Sequence, residues 1–187
     1  NINSKNTFTI KYNYLKSASD QFASNSRPGL GQITGGQPSI NSLPFYGAGY
    51  TVNNNFSIFI AELNTRFSNK TSNKLQIGYS ALRDFRTPHT STPFPFVDIL
   101  SGNNIYTSFG YEPYTYNNLL NTDVFQLTDI FKLYKGSHEL TFGTQNYYKQ
   151  YKNAFAPGYQ GVYQFKSLAD FYNNVKAKSY YLQYSAL

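Results

Sequence analysis

Few residues in this chain are spaced for bond-making chemistry. Gly78-Tyr79-Ser80-Ala81-Leu82 begins like a nucleophile elbow, in which a serine is held on a sharp strand-to-helix turn. Leu82 stands where the closing glycine is required, and the segment reads as strand interior instead. His89 and His138 are the only histidines. They fall on different connections, expected at opposite ends of a sheet, so a shared metal site is not predicted. Gly29-Leu30-Gly31 and Gly47-Ala48-Gly49 lack the strand before and helix after that a phosphate-cradling loop needs. Asn69-Lys70-Thr71 fits a glycosylation sequon but lies in a short turn and is read as a turn. Cysteine is absent, which removes disulfides and thiolate metal sites. With no nucleophile, base or metal cluster in view, no enzyme activity and no cofactor are expected.

Two other sets of residues suit binding. Glu62, Asn64 and Arg66, then Gln76 and Ser80, then Glu139 and Thr141 recur at alternate positions and would line one polar face. Such a face is either the lumen side of a membrane barrel or the solvent side of a soluble sheet. Phe94, Phe96, Tyr106, Phe109 and Tyr111 form the second set, in an irregular stretch. Their rings could stack on sugars or grip peptide side chains at low entropic cost. The bland alternative is that they pack the loops together or form an interfacial girdle.

The elements that must position these residues are strands. Phe8, Ile10, Tyr12 and Tyr14 alternate with Thr9, Lys11 and Asn13, the period-two signature, so a strand is predicted over Phe8–Lys16. A second runs from about Asn54 to Ser68, with Phe59, Ala61, Leu63, Thr65 and Phe67 on one face. After the polar turn Asn69–Asn73, a third starts at Lys74, with Leu75, Ile77, Tyr79 and Ala81 together. A fourth spans about Asp123–Tyr134, where Asp129 interrupts the row of Phe125, Leu127, Phe131 and Leu133. A position near a membrane boundary or a re-aiming bulge would reconcile it. Lys135-Gly136-Ser137-His138 is a second tight turn, and a fifth strand starts at Glu139. The last segment, Ser179–Leu187, alternates again, with Tyr180, Leu182, Tyr184 and Ala186 on one side.

Between these lie three long stretches, about 17–50, 87–122 and 152–178, rich in Gly, Pro, Ser and Asn, including Arg27-Pro28-Gly29 and Gly35-Gly36-Gln37-Pro38. Inside the third, Ser167-Leu168-Ala169-Asp170 is spaced as a capping box for a short helix reaching about Asn174. The connections therefore run long, short, long, short, long. In an antiparallel meander, that order sends every long loop to one end and every tight turn to the other. Outer-membrane barrels are built this way, while soluble sandwiches keep most connections short.

Composition agrees. Tyr 19 and Phe 16 dominate a 40% hydrophobic share, and only 13% of residues are charged. Aromatic and polar residues together suit strands with one greasy and one wet face. The net charge of +7 is scattered, so no nucleic-acid partner is expected. It could aid contact with lipopolysaccharide phosphates. No run approaches the ~20 apolar residues of a spanning helix, a criterion that barrel strands escape because only alternate residues meet lipid. The first residues, Asn-Ile-Asn, carry neither initiator Met nor signal peptide and read as an internal segment or a processed product.

Several segments carry a family resemblance. Asp123-Val124-Phe125-Gln126-Leu127-Thr128-Asp129, the turn Tyr134-Lys135-Gly136-Ser137-His138 and Leu140-Thr141-Phe142-Gly143-Thr144 resemble a barrel hairpin of TonB-dependent transporters, most closely the Oar-like receptors of Bacteroidota. Phe109-Gly110-Tyr111-Glu112-Pro113-Tyr114 is similar to that family's FGxEPF-type loop. Tyr163-Gln164-Phe165-Lys166-Ser167-Leu168-Ala169-Asp170-Phe171 resembles its YxFxSLxDF segment. The likeness covers roughly 75–187. It implies residues 1–187 as an arc of an outer-membrane barrel of about 22 strands with a plugged lumen. It also implies nutrient import energised through the TonB complex, with a lipoprotein lid or another outer-membrane subunit as a possible partner. No plug domain, TonB box or C-terminal strand is recognisable in the chain, so coupling and closure would rest on other parts of the protein. The competing expectations are a soluble β-rich glycan-binding or adhesion module and a passive porin.

Overall fold

The computed structural model describes residues 1–32 and 36–184. In chain order the elements are β1 (Asn6–Gln21), β2 (Ser26–Arg27), β3 (Gly31–Gln32), a 3-10 turn (Tyr46–Ala48), β4 (Tyr50–Arg66) and β5 (Thr71–Pro88). Then follow β6 (Phe96–Ser101), β7 (Asn104–Phe109), β8 (Leu119–Lys135), β9 (His138–Ala154), β10 (Val162–Phe165), α1 (Leu168–Tyr172) and β11 (Ser179–Tyr181). The protein is all-β, and its sheets are antiparallel apart from one pair. Five strands of 16 to 18 residues form the largest sheet, in the sequential order β1-β4-β5-β8-β9. These are the five strands that the alternation predicts, with shifted bounds: β1 and β8 are longer at both ends, β4 starts earlier but ends at Arg66 and not Ser68, β5 takes in 71–73 of the expected turn, and β9 starts one residue early.

The chain divides into two compact units. Asn1–Lys16, Asn54–Arg83 and Leu120–Lys152 make the first, which contains both tight turns. The 67–70 turn closes through the Phe67 N–H donating to the Thr71 carbonyl at 3.1 Å. Gly136-Ser137 joins β8 to β9 in two residues, and Gly136 sits at φ 60°, the left-handed conformation such a loop demands at its first position.

Cross-strand contacts in this unit fix which residues share a face. Tyr12 reaches Ser57 (3.4 Å), Asn73 donates to Asp129 (2.7 Å) and Tyr79 donates to Asp123 (2.5 Å). Alternation then carries Phe8, Ile10, Phe59, Ile77, Phe125 and Phe142 onto that same face. Lys74–Glu62 (2.7 Å) and Lys132–Glu139 (2.5 Å) define the opposite, polar face. The apolar face is uncovered: Phe8 is 46%, Ile10 59% and Phe142 59% exposed. Asp129 stays on it, satisfied by the Asn73 amide, which is how a carboxylate is carried at that interruption.

Ser17–Asn53, Asp84–Leu119 and Asn153–Leu187 make the second unit, which holds all three long connections. The first holds only the short β2/β3 pair and the 3-10 turn, whereas the second and third supply β6, β7 and β10 of a four-stranded sheet, β11-β10-β6-β7, with β10 parallel to β6 from Val162 opposite Phe96 to Phe165 opposite Ile99. The expectation of featureless loop over 87–122 is corrected by the β6/β7 hairpin, whose two-residue connection again starts with a glycine at positive φ, Gly102 at 63°. Ser167 caps the helix as expected: its hydroxyl accepts from the Asp170 N–H at 3.1 Å, and α1 follows, ending at Tyr172. Of the final alternating segment, Ser179–Tyr181 form strand β11. β11 is three residues long and pairs with β10, while Ser185, Ala186 and Leu187, like Gly35 of the first loop, lie outside the described residues. Phe96, Val162, Ala23 and Ala48 form the core here, with Tyr181 against it.

Candidate functional site

The polar face of the first unit carries every residue expected to line a lumen. Glu62, Asn64 and Arg66 lie on β4 and at its end, Gln76 and Ser80 on β5, and Glu139 and Thr141 on β9. Their common side follows from the Lys74–Glu62 and Lys132–Glu139 ion pairs and from the strand alternation. Asn64 Nδ2 also donates to Glu62 at 2.7 Å, and Arg66 donates to the Asn69 side chain at 2.7 Å. Gly78 lies on this face against the Gln126 side chain. Such a surface can orient water and charged solutes; among the described residues it assembles no nucleophile–base pair and no metal-ligand cluster.

The aromatic set is divided by the second unit. Tyr106 and Phe109, from β7, line a groove of about 700 Å³ with Phe45, Leu168, Phe171 and Tyr172. Phe109 meets Phe45 and Phe171 edge-on, at 6.1 Å and 5.6 Å between ring centres, the arrangement that ring quadrupoles favour. One wall exists because residues 43–45 pair with β7: the Leu43 N–H donates to the Tyr106 carbonyl (3.0 Å) and the Phe45 N–H to the Ser108 carbonyl (2.8 Å). That pairing covers an edge β7 would otherwise leave open. Tyr111 is elsewhere, edge-on to Tyr116, which stacks on Tyr159 at 4.4 Å. The Phe94 carbonyl accepts from the Tyr111 N–H at 3.3 Å. Phe96 is corrected outright as a ligand contact. It is fully buried in the core with the Arg27 guanidinium 4.6 Å above its ring, so no solute reaches it.

Three polar arrangements in this unit escape sequence reasoning. Arg27 and Asp98 form a fork-to-carboxylate pair at 2.7 Å and 3.0 Å with both side chains fully buried, and the Ser108 hydroxyl donates to the same carboxylate at 2.6 Å. Arg27 also donates to the carbonyls of Ser24 and Ser26. A charge inside the apolar run Phe96–Leu100 is the one sequence signal of this pair, but the partner stands 71 residues away.

Glu112, in the loop after β7, is the second. Burial raises its carboxyl well above the ordinary range, against hydrogen bonds from the Thr115 hydroxyl (2.7 Å) and the Tyr114 N–H (2.9 Å). Gly110 makes this loop possible: at φ 102°, a Cβ there would stand 2.2 Å from the Pro95 carbonyl. The third arrangement gathers His89, Asp20 and Thr51. His89 stacks on Tyr46 at 4.2 Å and faces the Tyr46 carbonyl (3.1 Å), Asp20 (3.3 Å) and Thr51 (3.2 Å). The Thr51 hydroxyl donates to the Asp20 carboxylate at 2.7 Å. Because one ring nitrogen faces both the hydroxyl and the carboxylate, and the other faces a carbonyl, no proton relay of the nucleophile–histidine–acid kind is laid out.

No family model, curated protein or solved structure matches this chain.

Proposed function

We propose that this chain is an arc of an outer-membrane β-barrel belonging to an active nutrient transporter, with the polar face toward the lumen and the second unit as substrate-capturing loops. One observation carries the reading. Five strands, each longer than the ~9–11 residues that cross a bilayer, share one face on which large apolar side chains stand exposed, broken by the Arg83–Asp123 pair and by Asp129, and one polar face opposite it. Phe8, Ile10, Tyr12, Phe59, Ile77, Phe125 and Phe142 all stand on that apolar face, exposed. Each would gain about 1.5–3 kcal/mol on leaving water, so the face calls for an apolar partner, and hydrocarbon is one.

The strand edges argue in the same direction. β1 and β9 bound the sheet, and closure with further strands would satisfy their outward N–H and C=O groups. The connections between β4 and β5 and between β8 and β9 are tight turns while those after β1, β5 and β9 are long, the alternation expected of periplasmic turns and extracellular loops. The energised-transport part of the reading, and TonB as partner, rest on the resemblance in the hairpin and loop motifs. The soluble glycan-binding alternative draws on the aromatic groove between 43–45, β7 and α1.

Fractionation of source cells tests the reading. Expected is recovery in the outer-membrane pellet after alkaline carbonate washing, with release by detergent alone. Recovery in the supernatant, monodisperse in plain buffer, would leave the soluble module instead.

A further inference from the structure

The polar face of the first unit contains a charge arrangement that strand pairing alone would not favour. The Arg66 N–H donates to the Lys5 carbonyl at 2.8 Å, which sets these two cations directly opposite each other. The Phe67 N–H bond to the Thr71 carbonyl puts Ser72 opposite Arg66. The Tyr134 N–H bond to the Lys70 carbonyl (2.8 Å) puts Lys132 opposite Ser72. Lys5, Arg66, Ser72 and Lys132 therefore form one row across four neighbouring chain segments. All four line a cavity of about 470 Å³, together with Lys74 and Asn64.

Like charges directly opposite on paired strands destabilise a sheet. Compensation within the unit is incomplete. The polar face carries two carboxylates there, Glu62 and Glu139, and each is taken by one lysine, Lys74 and Lys132. Among the described residues, no carboxylate stands within ion-pair range of Lys5 or Arg66. Arg66 spends one nitrogen on the Asn69 side chain and keeps the rest of its fork for another acceptor.

We propose that this row is an oxyanion site that takes a phosphoryl group, with the Arg66 fork and the Lys5 ammonium group as charge partners and the Ser72 hydroxyl as donor. Planar guanidinium geometry matches two phosphoryl oxygens at once, and the Lys5 ammonium opposite it offsets the remaining charge. A bound anion converts the cross-strand repulsion into a bridge. The source of the phosphoryl group is a phosphorylated solute if the face lines a lumen, so this assignment, though not the site itself, rests on the barrel reading. A phospholipid headgroup offers the same chemistry.

The test titrates inorganic phosphate into the purified protein by calorimetry, in zwitterionic lipid nanodiscs and again in nanodiscs containing phosphatidylglycerol. Lys5→Gln with Arg66→Gln is compared with wild type and with Lys149→Gln/Lys152→Gln, which removes the same charge outside the row. Saturable binding is expected in wild type and in the control, about tenfold weaker for each row cation lost. Binding in zwitterionic discs that vanishes with phosphatidylglycerol also supports the site and assigns it to a headgroup. Equal binding by wild type and row variant, or no binding by wild type in zwitterionic discs, overturns it. Misfolding does not confuse the result, because removing opposed cations relieves repulsion; the row variant should melt no lower than wild type without phosphate. Phosphate binding by a protein that needs no lipid would retain the site and sink the barrel reading, whereas a membrane-inserted protein that ignores phosphate would sink the site alone.

Discussion

In the second unit, Phe96, Val162, Ala23 and Ala48 are sealed from water, and even Arg27 and Asp98 are fully buried as a pair. In the first unit, side chains at least as apolar, Phe8, Ile10, Phe59 and Phe142, stand in the open along one face of a sheet. Both units are aromatic-rich and both are made of strands, so composition does not separate them. What separates them is the pairing of layers. In the second unit Ala23 and Ala48, from outside the sheet, pack with Phe96 of β6 and Val162 of β10 and give those side chains something to bury against. Sequential hairpins in the first unit make a single layer, and its apolar side chains stand exposed along one face.

The strongest way to break this comparison is to uncouple the buried pair. Asp98→Ala leaves Arg27 buried and uncompensated and should cost the second unit about 3–5 kcal/mol. Amide exchange within 96–109 and 162–165 should accelerate while that of Leu75–Ala81 holds; equal acceleration in both would erase the distinction between the units. Replacing both partners by apolar residues, Arg27→Met with Asp98→Leu, should restore much of the loss.

A smaller effect sharpens the contrast between faces of the first unit. Ile77→Arg puts a charge on the apolar face and should weaken folding into vesicles by about 2–4 kcal/mol if that side meets the bilayer centre. Gln76→Arg, one residue away on the polar face, should change it little. Urea titration of vesicle-inserted protein measures both, and matching losses would contradict the assignment of faces.

The smallest effect depends on pH. A carboxyl held above its ordinary value keeps its proton in the folded state where the unfolded chain has lost it. Glu112 should therefore stabilise the second unit fully below the ordinary carboxyl range, and less as pH rises through the raised folded value. Glu112→Gln should flatten that decline, with little effect in acid and a gain at neutral pH. A proteolysis-resistance profile of 109–118 that is unchanged by the substitution would argue against a protonated Glu112.

The long strands were legible because period two survives wherever one face differs from the other, as from Phe8 to Tyr14 or from Leu75 to Ala81. Serine three residues ahead of Asp170 was enough to announce α1. The β6/β7 hairpin was missed although Gly102-Asn103 is a known two-residue hairpin signal. Phe96–Leu100 is buried throughout and does not alternate, and a register shift falls between Ile99 and Leu100. The parallel β10–β6 pairing and the Arg27–Asp98 pair join residues far apart in sequence, which local periodicity cannot reach. Phe96 and Tyr106 look alike in sequence; one lies under Arg27 and the other beside the groove because of that same tertiary pairing.

The central claim is that the odd-numbered row of β5 faces lipid and the even-numbered row faces water. Because the chain has no native cysteine, single cysteines at Leu75, Gln76, Ile77, Tyr79 and Ser80 can each carry one spin label. Power-saturation measurements on protein inserted in vesicles then report collisions with oxygen, which concentrates in lipid, and with a water-soluble nickel complex. Oxygen contact at 75, 77 and 79 alternating with nickel contact at 76 and 80 is the result predicted. Nickel contact at all five positions, or no alternation, would contradict it.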